Sequence, residues 1–260
     1  MKHFLSLLSK ENLDLTKTFL KHELSLMEQG TWLGFILSFL NNVVMLLVFH
    51  LLFVNTFLKG VPNSWLYLLL GIVQWNLYIN VSMSGFSCLI YRQKIIMGFS
   101  FPRELIIFAR TGAVFVPYLA ELTLIIIFAL IKHVWPTEKL LLLPLFLICE
   151  YLFCVGLCSF FAFIGVLHKN IIPFWNIMFR LISFATPIFY IPMHFGSPLM
   201  NLLYISNPFT LFMIWIRDII SANGFAAHFN VLKILAGSII LFYAGYTLFR
   251  KMEHKIGDYL

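Results

Sequence analysis

The chain has 260 residues, of which 61% are hydrophobic and 11% charged, where soluble domains run at about 45–50% and about 25%. Mean hydropathy is +0.91 with the apolar residues spread along the whole length, which excludes a soluble globule and predicts a polytopic membrane protein. The net charge of +7 reads first as topology and calls for no nucleic-acid partner, because Lys and Arg collect on the cytoplasmic flanks of membrane helices.

In chain order, a polar segment comes first. Residues 11–29 place Leu13, Leu20, Leu24 and Met27 on one helical stripe, with Lys10, Asp14, Lys17 and Lys21 beside it. This predicts an amphipathic helix, either lying on the cytoplasmic membrane face or packed on another subunit. The first apolar run begins near Leu33, behind this segment, and so reads as a retained membrane helix rather than a cleaved leader.

A helix needs about 20 apolar residues to cross a bilayer, and six runs qualify: residues 33–54, 65–90, 105–131, 140–166, 173–191 and 231–249. Six spans put both termini on one side. On that side fall eleven Lys and Arg, including Lys2, Arg92, Lys94, Arg103, Lys169 and Arg250, against four on the other: Lys59, Lys132, Lys139 and Arg217. The termini are therefore expected in the cytoplasm. Between the fifth and sixth runs, residues 193–230 are long and apolar for an external loop. The twelve-residue run 209–220 is too short to span and predicts a re-entrant or interfacial helix. No repeat or linker appears, so we expect one domain: an interfacial segment (1–32), a six-span bundle (33–249) and a cytoplasmic tail (250–260).

Polar residues inside spans are expensive and therefore informative. Ser38 and Asn42 lie four apart in the first run. Asn76, Asn80, Ser84 and Ser87 share a face of the second, and Asn176, Arg180 and Ser183 a face of the fifth. Each stripe alone suits interhelical hydrogen bonding; the three together point to a polar pathway. Trp75 and Tyr78 sit mid-span beside the second stripe, where flat aromatic faces could hold sugar rings or simply pack. Trp32, Trp65, Trp135 and Trp175 read as interfacial belts. Glu121 and Glu150 fall at matched depth in the third and fourth runs. They suit either a structural role or, facing each other, a shared proton.

Several chemistries lack their residues. There is no Gly-x-x-x-x-Gly-Lys-Ser/Thr phosphate loop, so ATP drive would come from a partner. No Asp-x-Asp pair or Ser, His and Asp grouping supports a transferase. The eight histidines show no His-x-x-x-His spacing, so no metal site is expected. Cys88, Cys149, Cys154 and Cys158 lie in apolar runs and read as buried packing residues.

Several short motifs carry a resemblance. Leu33-Gly34 follows the amphipathic helix, Phe101-Pro102-Arg103-Glu104 follows the second span, and Pro187-Ile188-Phe189-Tyr190 ends the fifth. Asn207-Pro208 and Arg217 lie in the external segment, and Gly245, Phe249, Arg250, Lys251, Glu253 and Asp258 close the chain. In order and spacing the chain resembles the permease subunit of ABC-2 type polysaccharide and polyol phosphate exporters, especially those of O-antigen. It departs from that pattern at Leu37, at Asn42 and at His168-Lys169-Asn170.

The resemblance implies an all-α, ABC-2 type transmembrane domain in the bacterial inner membrane, multi-pass, acting as a homodimer. Each copy would be carried on a cytoplasmic ABC ATPase subunit, which would hold ATP and Mg. The cargo would be an undecaprenyl-diphosphate-linked polysaccharide, with teichoic acid and capsular polymers as alternatives, passing among membrane lipids. The first, second and fifth helices would line the channel, with Ser38, Asn42, Trp75, Asn76, Tyr78, Asn80, Ser84, Asn176, Arg180 and Ser183 facing it. Tyr91, Arg92, Lys94, Phe101, Pro102, Arg103 and Glu104 would form the coupling loop, and Pro187, Tyr190, Asn207, Pro208 and Arg217 a periplasmic gate. Two rivals remain: a proton-coupled transporter using Glu121 and Glu150, and a scaffold for glycan synthesis.

Overall fold

The computed structural model describes residues 9–26, 32–58, 63–134, 138–168, 171–190, 207–220 and 231–253. Every regular element among them is helical: α1 (Lys10–Leu26), α2 (Trp32–Phe57), α3 (Ser64–Cys88), α4 (Gln93–Gly98), α5 (Glu104–Ile131), α6 (Leu143–Leu167), α7 (Ile172–Ala185), α8 (Pro208–Ile220) and α9 (Val231–Glu253). Ser64–Cys88, Glu104–Ile131 and Glu138–Leu167, the last including a 3-10 turn before α6, are each long and apolar enough to cross a bilayer. The first, fifth and sixth predicted runs form α2, α7 and α9. Of the tail, residues 254–260 lie outside the described set, as do Lys169, Asn170, Trp135 and residues 191–206 between α7 and α8.

The helix ends follow local chemistry. Pro144 and Pro173 occupy the first turns of α6 and α7, where a missing N–H costs nothing. The fifth run departs from its predicted length, because α7 stops after 14 residues at Ala185 and Thr186 is extended, with φ −101° and ψ 133°. Proline disfavours helical backbone in the residue before it, and Pro187 follows. At α8 the Asn207 side chain accepts a hydrogen bond from the Phe209 N–H at 3.0 Å, an N-cap with Pro208 as first helical residue.

α3 is the most enclosed of the three long helices, packed against α2, α5 and α6, while α9 lies along α6 and α1 along α5. Close approach depends on glycine. A Cβ on Gly245 of α9 would lie 2.3 Å from the Gly156 carbonyl oxygen of α6, and one on Gly165 of α6 would lie 2.3 Å from the Phe86 carbonyl oxygen of α3. Small residues let membrane helices approach this closely and gain dispersion contacts along their length. The four cysteines are buried among these helices.

The amphipathic α1 finds its partner within the chain. Glu23, 2% exposed, is ion-paired with Arg92, just beyond α3, and with Arg110 of α5 at 2.6 Å. Phe19 meets Phe101 at 5.5 Å between ring centres. Burial and then the neighbouring Arg110 pull Arg92 down to about 10, which leaves it protonated at neutral pH. Removing one partner of a buried pair costs about 3–5 kcal/mol. Glu23→Gln should therefore release α1, seen as faster amide hydrogen exchange across residues 10–26. Wild-type protection would mean that apolar packing alone holds the helix.

Candidate functional site

A groove lies between α2, α3 and α7. α2 contributes Met45 and Phe49, α3 contributes Ile72, Trp75, Asn76 and Ile79, and α7 with its following turn contributes Arg180, Ser183, Phe184 and residues 188–190, around about 620 Å³. On α3 the residues Ile72, Asn76 and Ile79 share one stripe at helical spacing. The lining is mostly apolar, with Asn76, Arg180 and Ser183 as its polar points.

The predicted pathway residues divide. Trp75, Asn76, Arg180 and Ser183 line the groove. Trp75 is only 7% exposed, with its indole edge-on to Phe179 of α7 at 6.3 Å and Phe209 of α8 at 5.8 Å. Asn42 is buried behind the groove wall and its carbonyl accepts a hydrogen bond from the Asn76 amide at 2.7 Å, a polar strap between α2 and α3. Asn80 and Asn176 are exposed outside the groove and Ser84 is buried. Ser38 lies on α2, and its side chain is outside the described residues. Tyr78 is wholly buried, its ring beside that of Trp75 at 6.5 Å and its hydroxyl 3.2 Å from the Glu150 carboxyl group.

The residues expected at a gate come together at one end of the groove. Arg217 of α8 is 3% exposed and donates to three carbonyls: Tyr67 through Nε at 3.1 Å, Pro187 at 2.7 Å and Ile188 at 3.0 Å. Its guanidinium also stands 3.5 Å from the Tyr67 ring centre. The Tyr67 hydroxyl donates to the Tyr190 carbonyl at 2.9 Å, and the Asn207 amide donates to the Thr186 hydroxyl at 3.0 Å. The turn that breaks α7 is thus bound to α3 and α8, and it sets Phe189 against Phe49 of α2 at 4.2 Å.

The loop between α3 and α5 also divides. Arg92 and Glu104 are buried, and Phe101, Pro102 and Arg103 are half-buried. Tyr91 at 84%, Met97 at 58% and Phe99 at 73% exposure, with Lys94, form its outer surface. Met97 and Phe99 escaped sequence reasoning, although apolar side chains in a polar connecting loop are a signal of a covered surface. Gln74 escaped it too. It is fully buried in mid-helix, and a glutamine in a membrane span implies a hydrogen-bonding partner.

No family model matches the chain. The O-antigen export system permease protein RfbA of Myxococcus xanthus is 22% identical over 240 residues, covering 92% of each chain. The likeness runs nearly end to end and agrees with the motif resemblance: the chain is similar to an O-antigen export permease.

Proposed function

We propose that this chain is the membrane permease subunit of an ATP-driven exporter that carries a lipid-linked polysaccharide, an O-antigen on undecaprenyl diphosphate, across the bacterial inner membrane. In this reading α2, α3, α5, α6, α7 and α9 are the six spans, with both termini cytoplasmic. Two copies face each other across their grooves, each seated on a cytoplasmic ABC ATPase through Tyr91, Lys94, Met97 and Phe99. The chain performs no bond chemistry; its partner binds and hydrolyses Mg-ATP.

The observation that carries this reading is the groove itself. Its walls are the first, second and fifth apolar helices, whose polar stripes mark a path in the sequence, and it presents an indole, an amide, a hydroxyl and a guanidinium along an otherwise apolar surface. Such a wall binds sugar faces weakly, through stacking and a few hydrogen bonds, so that a chain can slide. The flanks support a second copy. Leu37, Leu40, Val44 and Leu47 of α2 and Ile177, Leu181 and Phe184 of α7 are all exposed. The similarity to an O-antigen export permease supports the cargo.

Gentle purification of the tagged chain from its native membrane should bring down an ATP-binding subunit at equal stoichiometry by intact-mass analysis. In the same strain, Trp75→Ala should slow appearance of surface polysaccharide several-fold while the assembled complex is recovered in normal amount. Reproducible absence of the ATPase, with transport that collapses when the proton gradient is dissipated, would replace this reading by proton coupling through Glu121 and Glu150. The polymer that accumulates inside a deletion strain separates O-antigen from a capsular or teichoic acid chain.

A further inference from the structure

Opposite the groove, α3 meets α5 and α6 through four polar side chains that the transport path does not use. Glu150 of α6 is fully buried. Its Oε2 lies 2.8 Å from the Tyr118 hydroxyl, and that hydroxyl lies 2.7 Å from Oε1 of Gln74. The other carboxyl oxygen, Oε1, lies 3.2 Å from the Tyr78 hydroxyl and also meets the Gln74 amide nitrogen. That nitrogen lies 2.6 Å from the Tyr78 oxygen. The carboxyl group thus has two phenols and an amide as partners, none of them a cation.

These contacts can be filled only with a set number of protons. Each phenol supplies one and the amide nitrogen two, which makes four for five contacts. With an ionised Glu150 the deficit falls on Tyr118, whose single proton faces an acceptor on each side, Glu150 Oε2 and Gln74 Oε1. Turning the Gln74 amide over enlarges the deficit, because the amide oxygen then faces Glu150 Oε1 with no proton between them and competes with it for the single Tyr78 proton. With the amide turned over, one more proton still leaves a contact unfilled; with the amide as placed, one more proton, on the carboxyl group, closes all five contacts. Glu150 Oε2–H donates to Tyr118, and Tyr118 O–H passes to Gln74 Oε1.

We propose that Glu150 is an undissociated carboxylic acid, and that its clasp with Tyr118, Gln74 and Tyr78 fixes the rotation of α3 so that Trp75 and Asn76 turn toward the groove. The spacing supports the mechanical half. Gln74 and Tyr78 are one turn apart on one face, and Asn76 is turned by about 200° from Gln74 at ~100° per residue. A rotation of α3 that satisfies the clasp therefore presents the Ile72, Asn76 and Ile79 stripe on the opposite side. Glu150 acts here as a positioning residue, whatever the groove carries.

The test uses the full chain in lipid and needs no export. Infrared difference spectra of wild type minus Glu150→Gln in neutral buffer should show the carbonyl stretch of an undissociated carboxylic acid, shifted in D2O and shifted again in Tyr118→Phe. A carboxylate doublet in its place would overturn the protonation. Glutamine is neutral, donates through its amide and accepts through its carbonyl, so it can fill the same five contacts. In a chain carrying Asn76→Cys, maleimide labelling should keep its wild-type rate with Glu150→Gln and fall several-fold with Glu150→Leu. Equal rates in both would overturn the positioning role. Where Glu150→Leu fails to fold, Tyr118→Phe takes its place in the labelling arm, with the same two outcomes. Failure here leaves ATPase association and polymer export untouched, so the two readings are separable.

Discussion

Arg217→Ala is expected to collapse the end of the groove and to lower thermal stability more than any other single change at the site. The reason lies at the break in α7. Pro187 keeps the chain from continuing the helix past Ala185, and the buried carbonyls of residues 187 and 188 in the turn that follows need donors from elsewhere. The Arg217 guanidinium supplies both, and reaches Tyr67 with its third donor. Each carbonyl left without a donor costs about 1–3 kcal/mol, so the loss is on the order of 5 kcal/mol. Arg217→Lys should fall nearly as far, because one ammonium on a flexible stem cannot copy a planar fork directed at three carbonyls. Gly71 makes room for that fork: a Cβ there would lie 2.3 Å from Nη2 of Arg217. Gly71→Ala should therefore reproduce a weaker form of the defect. The check is the unfolding temperature of the purified chain in detergent, together with export by the same variants. A stable, exporting Arg217→Ala would show that the turn after α7 is held by apolar packing alone.

The second large effect is expected at the crossing of α6 and α9, neither of which lines the groove. A side chain on Gly245 would meet the Gly156 backbone at 2.3 Å, 3.0 Å and 3.1 Å, and one on Gly156 would meet the backbone of residues 241 and 242 at 2.7 Å. Backbone cannot swing aside as a side chain can, so any Cβ must part the helices. Overpacking a well-filled site typically costs about 1–3 kcal/mol. Here the cost should exceed that range, because separation at the crossing loosens contacts along both helices. Gly245→Leu should fail to give a monodisperse protein. Gly237→Ala, on the same helix but with nothing within 4 Å of the added Cβ, should behave as wild type. Equal behaviour of the two variants would sink the close-packing account of the α6 and α9 contact.

What the sequence by itself determined is the part that depends on composition and period. Apolar runs long enough to cross a bilayer announced a helical membrane protein. The stripes on the first, second and fifth runs singled out the helices that form the groove, because a polar group in an apolar run carries a cost that only a partner or water can offset. The run 209–220 was legible as a short helix because its length is wrong for a span, and α8 is buried against protein as that length requires.

What only the tertiary structure decided is which partner each polar residue takes. Tyr78 comes three residues after Trp75, only about 60° round the helix at ~100° per residue, and their rings stand 6.5 Å apart; the placement of α5 and α6 decides that Tyr78 reaches Glu150 while Trp75 reaches the groove. The sequence puts Glu121 and Glu150 at matched positions along their runs, but that does not set azimuth, and the carboxyl group of Glu150 is met by two phenols and an amide. The stripe of α1 suited a membrane face equally well until Glu23 found Arg92 and Arg110, two residues far away in the chain. Periodicity reports which face of a helix is apolar; it carries no information about the rotation and neighbours that long-range packing imposes. Those choices fixed where the groove lies and which of its expected residues line it.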